Sequence, residues 1–348
     1  MQALVFHGPR DIRYEHYRDP ERTIDNAVIL AVEACSICGS DLHIYHGDRI
    51  GRTDYSADVP AFCVGHEFIG TVVDAGPQVF TVAAGDRVLV AGGSGCGICP
   101  ACRSRRGRCA KANAFGLSTD LQGGQAEFVQ VPNADLTVRA IPEGVSDEQA
   151  LLLTDALATA HFGTSRADIA PGDRVAIVGL GPIGLLGVEL AFLRGASEVL
   201  AIDPVAARRH HAEGLGARSL EPGADTVSLV RELTGGAMID RVFEASGHRS
   251  AVELVPQLLR HGGTASFIGL PQGGTALAMN QLLYRNLTVR AGVAPVTEMW
   301  SEVIPLLQSG RLRGDGLFTH RLPLSEGAEG YRLFDAREDD VLKVLFTL

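Results

Sequence analysis

Nine residues, Cys35-Ser36-Ile37-Cys38-Gly39-Ser40-Asp41-Leu42-His43, crowd two thiols, two hydroxyls, a carboxylate and an imidazole into one stretch. Thiolates and imidazoles are good Zn²⁺ ligands, and a hydroxyl near an imidazole can pass a proton. The working expectation is that Cys38 holds a catalytic zinc while Ser40 and His43 carry a proton away from it. A Cys35–Cys38 redox pair is the alternative, although no strand–helix redox unit surrounds this C-x-x-C.

A second polar island, His66-Glu67, sits inside an apolar run that begins at Val59 and ends at Val73. An ionised carboxylate buried without a partner is very costly, so both side chains need something polar or metallic beside them. Downstream of Cys38, His66 reads as a metal ligand; a hydrogen-bonded core histidine is the plainer alternative. Cys63 reads as a small buried hydrophobe. Four more thiols follow at Cys96, Cys99, Cys102 and Cys109. This spacing can close a tetrahedron around a structural Zn²⁺ with no open position, and disulfides suit it less well. Arg103, Arg105, Arg106 and Arg108 would offset the negative charge of such a centre.

Ser146-Asp147-Glu148-Gln149 is a capping box, with Ser146 as N-cap. The spacing predicts one helix continuing through residue 160. Asp155 is an anomaly, an acid in a helix otherwise apolar nearly all round, with Thr159 four residues on and so on the same face. Either this pair faces a reactive site or Asp155 pairs with an arginine elsewhere.

The elements that must position these groups can be read around them. Short apolar runs punctuated by Gly, Pro and Asp make residues 1–34 β-rich. The strand Arg174-Val175-Ala176-Ile177-Val178 runs into Gly179-Leu180-Gly181-Pro182-Ile183-Gly184, then a helix over 185–194, then a second strand ending at Asp203. In that context the glycine pattern is a dinucleotide fingerprint: Gly179 for the turn, Gly181 for approach of the pyrophosphate, Gly184 for helix–strand packing, with Pro182 and Ile183 opening the helix. Asp203 is expected to accept from the ribose hydroxyls and so favour NAD over NADP, with Arg208 a candidate phosphate contact. Later strands over 240–245 and 264–269 extend one parallel sheet, and Gly269 ends a strand where the nicotinamide half is expected. The stretch 294–348 returns to short strands and one helix near 300–307.

At 348 residues two domains are expected. A formal net charge of -10, without acidic runs, argues against nucleic acid or an anionic membrane surface as partner. There is no basic-then-apolar leader and no apolar run of about 18 residues, the length a membrane span needs. A soluble cytoplasmic enzyme is expected.

Taken together, Cys38-Gly39-Ser40-Asp41-x-His43, Gly65-His66-Glu67, the four-cysteine lobe, Asp155, the Gly179–Gly184 fingerprint and Asp203 resemble the zinc-dependent medium-chain alcohol dehydrogenases over nearly the full length. The nearest branch is that of the bacterial alcohol and formaldehyde-dehydrogenase-like enzymes. The resemblance implies an α/β protein: a GroES-like β-rich catalytic domain (1–155 and 294–348, with a structural zinc lobe at about 92–112) interrupted by a Rossmann doubly wound parallel-sheet NAD-binding domain (156–293), the active site lying in the cleft between them. It implies two Zn²⁺ per chain. Cys38, His66 and Asp155 would ligate the catalytic ion, and Cys96, Cys99, Cys102 and Cys109 the structural one. Glu67 would stand behind the zinc or swap onto it, Asp41 would orient His66, and Thr159 would help to place the nicotinamide ring.

The implied activity is reversible NAD-dependent oxidation of a primary or secondary alcohol to an aldehyde or ketone. Polyol (sorbitol-like) and threonine-type dehydrogenases are the neighbouring possibilities, and a non-catalytic NAD(H)-binding redox sensor the remote one. A homodimer or homotetramer is implied. The chain departs from the family in three places. Six residues rather than seven precede the fourth lobe cysteine, and Asp155 stands where many members have Cys. Gly39 stands where some relatives carry a basic residue, leaving Arg208 or Lys343 for cofactor phosphates. Pocket walls are expected to involve Tyr45, Phe115 and Leu270.

Overall fold

The computed structural model describes all residues except 51–52, 57–58, 105–108, 118 and 272, and the side chains of residues 50 and 53. The chain forms two compact units, Met1–Ala158 with Pro295–Leu348, and Thr159–Ala294.

The first unit is built on a seven-stranded sheet. Its strands run in the order Val138–Ala140, Arg87–Val90, Glu67–Ala75, Val28–Ser36, Lys343–Thr347 and Phe318–Pro323, with Phe128–Val131 also pairing onto Val28–Ser36. Pairing is antiparallel except for Phe318–Pro323 with Lys343–Thr347. A three-stranded sheet joins Asp11–His16, Gln2–Gly8 and Phe62–Cys63. Between them lies one apolar core that includes Phe6, Phe62, Phe68, Phe115, Tyr331 and Phe346, all buried. Phe115 packs edge-on to Phe68 at 5.2 Å, and Tyr45 lies 5.6 Å from the Tyr331 ring. Both residues thus pack into this core. Leu270, in the second unit, is exposed.

Two expectations about helices need correcting. The helix opened by the Ser146 capping box spans Asp147–Thr154 and stops at Asp155, whose φ of −154° and ψ of −68° are not helical. A new helix, Ala156–Arg166, follows. Thr159 belongs to that second helix, so the four-residue spacing does not put it on a common helical face with Asp155. The C-terminal stretch also holds two helices where one was expected, Val296–Gln308 and Gly327–Ala336. Gly327 and Gly330 depress the helical signal of the latter, and both are needed. A Cβ at 327 would lie 2.2 Å from Leu4 Cδ1, and one at 330 would lie 2.7 Å from Phe346 Cζ.

The second unit is a six-stranded parallel sheet in the order Arg218–Leu220, Glu198–Ile202, Arg174–Val178, Ile239–Glu244, Leu259–Phe267, Thr288–Ala291. Helices connect successive strands, as parallel crossovers require. The strand order reverses between Arg174–Val178 and Ile239–Glu244, the switch point at which doubly wound sheets bind ligands.

Candidate metal and cofactor sites

Cys38 sits at the junction of the strand Val28–Ser36 and the helix Gly39–His46, as the helix N-cap. Its N–H donates to Asp41 Oδ2 at 2.9 Å, which places an acid in the first turn where the helix dipole favours one. His66 immediately precedes the strand Glu67–Ala75. The preceding Gly65 is left-handed at φ +93°, and a Cβ there would come within 2.3 Å of the Gln125 side chain. Asp155 is delivered by the helix break. Its Oδ2 lies 3.5 Å from both Cys38 Sγ and His66 Nε2. One ligand atom from each of the three residues falls within 4.8 Å of the others. His66 Nδ1 lies 3.0 Å from Asp41 Oδ1, an ion-pair distance without the alignment of a hydrogen bond. On the other side of the ring, Ser40 Oγ lies 3.2 Å from Nε2.

This cluster is short of positive charge. Burial first, then the carboxylates of Glu67 and Asp155, push the Cys38 thiol up. Burial works against a charged His66 ring, but Asp41 and Cys38 outweigh it and hold the ring well above its ordinary value. Both groups thus retain protons that a divalent cation would displace on binding. Thiolate, imidazole and carboxylate are all ordinary Zn²⁺ ligands, and three protein ligands leave a fourth position open, as in catalytic sites. The donor set therefore fits the ion.

Behind the cluster lies a buried polar network. Glu67 Oε2 accepts from Ser36 Oγ at 2.5 Å and from Lys343 Nζ, whose ammonium also donates to Ile37 O at 3.2 Å. Gln125 Nε2 donates to Ser36 O at 3.1 Å, and Tyr331 Oη donates to Gln125 Oε1 at 3.0 Å. All five side chains are buried. Burial lowers the Lys343 ammonium, yet Glu67 outweighs it and the net shift is upward. Lys343 is thus committed to Glu67, which corrects the expectation that it would meet a cofactor phosphate.

His43 stands three residues after Ser40 on the same helix, so the two side chains share a side. Its Nδ1 lies 2.8 Å from Asp48 Oδ2, and about a quarter of the side chain is exposed.

The thiols of Cys96, Cys99, Cys102 and Cys109 also converge within 4.8 Å. Among the described residues all seven cysteines are unpaired. Backbone N–H groups of Ile98 and Cys99 bring Cys96 down to about 6, and the Cys109 sulfur accepts from the N–H groups of Cys96 and Lys111 at 3.4 and 3.3 Å. A Cβ at Gly95 would lie 2.8 Å from Cys102 Sγ, so a glycine is needed beside the thiols. Arg103 lies in the short helix Pro100–Ser104, whereas Arg105, Arg106 and Arg108 fall outside the described residues.

In the second unit the glycine turn has the shape its spacing predicts. Gly179 is left-handed at φ +89°, and a Cβ at Gly184 would lie 1.8 Å from Gly179 O. Gly181 caps the helix Pro182–Leu193, with Pro182 at its start and Ile183 next; nothing lies within 4 Å of where a Gly181 Cβ would be. An open helix N-terminus of this kind fits a pyrophosphate. Asp203 is nearly buried. Its Oδ2 accepts from Leu180 N at 2.7 Å and its Oδ1 from Val205 N at 2.8 Å, so it braces the glycine turn directly. Arg208 lies half-buried in the helix Ala206–Gly214, beside Arg209, whose guanidinium donates to Asp203 O and Pro204 O. Gly269 follows the strand Leu259–Phe267, where a Cβ would lie 2.1 Å from Gly247 N.

Sequence reasoning missed Ser36, Gln125 and Tyr331, and missed the partner of Lys343. A lysine inside Val341-Leu342-Lys343-Val344-Leu345-Phe346 was a legible signal of a buried ion pair.

Residues 24–143 match the model of the alcohol dehydrogenase GroES-like domain, and residues 182–309 match that of the zinc-binding dehydrogenases. The chain is 42% identical over 347 residues to the "Probable zinc-binding alcohol dehydrogenase Rv1895" of Mycobacterium tuberculosis, covering 99% of this chain and 88% of that protein. The alcohol dehydrogenase of Thermus sp. ATN1 superposes with a TM-score of 0.91 at 34% identity, over 100% of this chain and 99% of that one. The 2R,3R-butanediol dehydrogenase of Bacillus subtilis superposes with a TM-score of 0.84 at 29% identity, over 100% and 99%. With both domain models matched and a relative of this identity spanning nearly its whole length, the chain belongs to the zinc-dependent medium-chain alcohol dehydrogenase family.

Proposed function

We propose that the protein catalyses reversible, NAD-dependent oxidation of an alcohol to an aldehyde or ketone, with Cys38, His66 and Asp155 holding the catalytic Zn²⁺ and the four-cysteine lobe holding a structural one. The single observation that carries this is the convergence of thiol, imidazole and carboxylate within 4.8 Å, with a hydroxyl beside them. When bound, the ion would supply the positive charge that acidifies an alcohol and the nicotinamide an acceptor for its hydride.

The chain's own residues do the rest. Asp41 holds the His66 ring in place from Nδ1, leaving Nε2 for the metal. The Ser40 hydroxyl, beside that nitrogen, accepts the alcohol proton as it gives up its own toward His43, which with its Asp48 partner releases a proton to solvent. Lys343 and Ser36 hold one oxygen of Glu67 and so steady this carboxylate beside the metal ligands. Asp203 braces the glycine turn and puts a carboxylate where a 2′-phosphate would be repelled, which supports NAD over NADP.

The thiolate cluster needs reduced cysteines, which supports a cytoplasmic location. The edge strand Thr288–Ala291 supports a homo-oligomer. Among the described residues no helix is long and apolar enough to cross a membrane.

The substrate is an uncharged small alcohol or polyol in this reading, and the likeness to a butanediol dehydrogenase supports including vicinal diols. The test is a panel of primary alcohols, secondary alcohols, vicinal diols, sorbitol and threonine, each run with NAD⁺ and NADP⁺. Turnover of at least one alcohol or polyol, faster with NAD⁺, is expected. Inertness toward the whole panel with both cofactors would contradict the reading.

A further inference from the structure

Glu244 ends the strand Ile239–Glu244 and is fully buried, yet the chemistry above does not use it. Its Oε1 gathers three donors: Ser246 N at 2.8 Å, Gly247 N at 2.9 Å and the Ser246 hydroxyl. Its Oε2 has no hydrogen-bond partner among the described residues. Burial first pushes this carboxyl up, although Ser246 and Gly247 pull the other way. A buried acid with one crowded oxygen and one empty one is expensive to keep.

Its place in the sheet gives the reason. Glu244 is in register with Val178 across the point where the strand order reverses. The crevice outside the carboxyl ends of those strands is where a doubly wound sheet takes its ligand. Ala245 N donates to Val178 O at 2.9 Å, and a Cβ at Gly179 would come within 2.6 Å of Ser246 Cβ, so the loop held by Glu244 rests directly on the glycine turn. On the other side Ile268 N donates to Glu244 O at 3.0 Å. A Cβ at Gly247 would lie 2.0 Å from Leu270 O, and one at Gly269 would lie 2.8 Å from Glu244 Oε2. One carboxylate thus underlies loops leaving three neighbouring strands.

We propose that Glu244 is a positioning residue of the dinucleotide site: by drawing Ser246 and Gly247 onto one oxygen, it sets the loop that buttresses Gly179 and so the fit of the nicotinamide dinucleotide. It acts through the loop and does not itself touch the ligand. This inference rests on the cofactor reading above.

The test titrates NADH into full-length wild type, Glu244→Gln, Glu244→Ala and Ser246→Ala without substrate, following cofactor fluorescence, with zinc content and thermal midpoint measured alongside. Glutamine keeps an acceptor oxygen, so E244Q is expected within about threefold of wild type, while E244A weakens NADH by about tenfold or more at unchanged zinc content. Ser246 is exposed, so S246A carries the test if E244A does not fold, and it is expected to weaken NADH by about threefold, the worth of one hydrogen bond. Wild-type affinity in S246A and in a folded E244A, with only the thermal midpoint lowered, assigns Glu244 to stability alone and overturns the proposal. So does an E244Q as weak as E244A. A wild type that does not take NADH overturns the cofactor reading itself, and the proposal with it.

Discussion

Lys343 illustrates what single residues contribute. Its ammonium is 1% exposed and meets Glu67, itself 0% exposed, so neither charge has water to fall back on. Removing one partner of such a pair leaves the other buried and uncompensated, at a cost of about 3–5 kcal/mol. Lys343→Met is expected to lose that much in denaturant unfolding, and a second change, Glu67→Gln, to recover part of it. A loss below about 1 kcal/mol in the single variant would contradict the buried pair.

The same contrast explains what was legible at this scale. Cys38, His66 and Asp155 stand out because each interrupts apolar sequence, and the structure gathers them within 4.8 Å. Gln125 and Tyr331 carry no such mark. They are linked to each other across 206 positions, and Gln125 reaches Ser36 across 89, so only the folded chain reveals the network.

Among elements, the glycine-turn strand and its helix were readable because turn, cap and packing each demand a residue type at a fixed spacing. The break at Asp155 was not. Apolar residues continue on both sides of it, and nothing in the local sequence separates Asp147–Thr154 from Ala156–Arg166. The helix Gly327–Ala336 was hidden by the glycines that its packing against Leu4 and Phe346 requires.

The edge strand Thr288–Ala291 has a consequence of its own. It pairs with Leu259–Phe267 on one side and ends the sheet, and Val289 on it is 36% exposed. Leu283 and Tyr284, just before it, are 70% and 79% exposed. Unpaired edges with apolar side chains invite a second copy. Wild type is expected to sediment as a dimer or larger, and Val289→Glu to shift it toward monomer. A wild type that sediments as a monomer would contradict this.

At the scale of the whole molecule, the α/β class and the pairing of a GroES-like domain with a Rossmann domain were legible in the motif order, and the family matches bear them out. The two thiol-bearing clusters share no residue and differ in chemistry: one mixes three ligand types with a neighbouring hydroxyl, the other is all sulfur. A mixed three-ligand set leaves a position for substrate, while four thiolates close the ion off. Zinc content and turnover should therefore separate cleanly between the clusters. The most direct measurement is the zinc stoichiometry of Cys38→Ser beside wild type, with alcohol oxidation assayed on the same samples. About two zinc ions per chain are expected in wild type and about one in the variant, which keeps the lobe loaded and folded but loses turnover. A variant that retains turnover, or that keeps the full wild-type zinc content, would contradict the assignment of Cys38 to a catalytic metal.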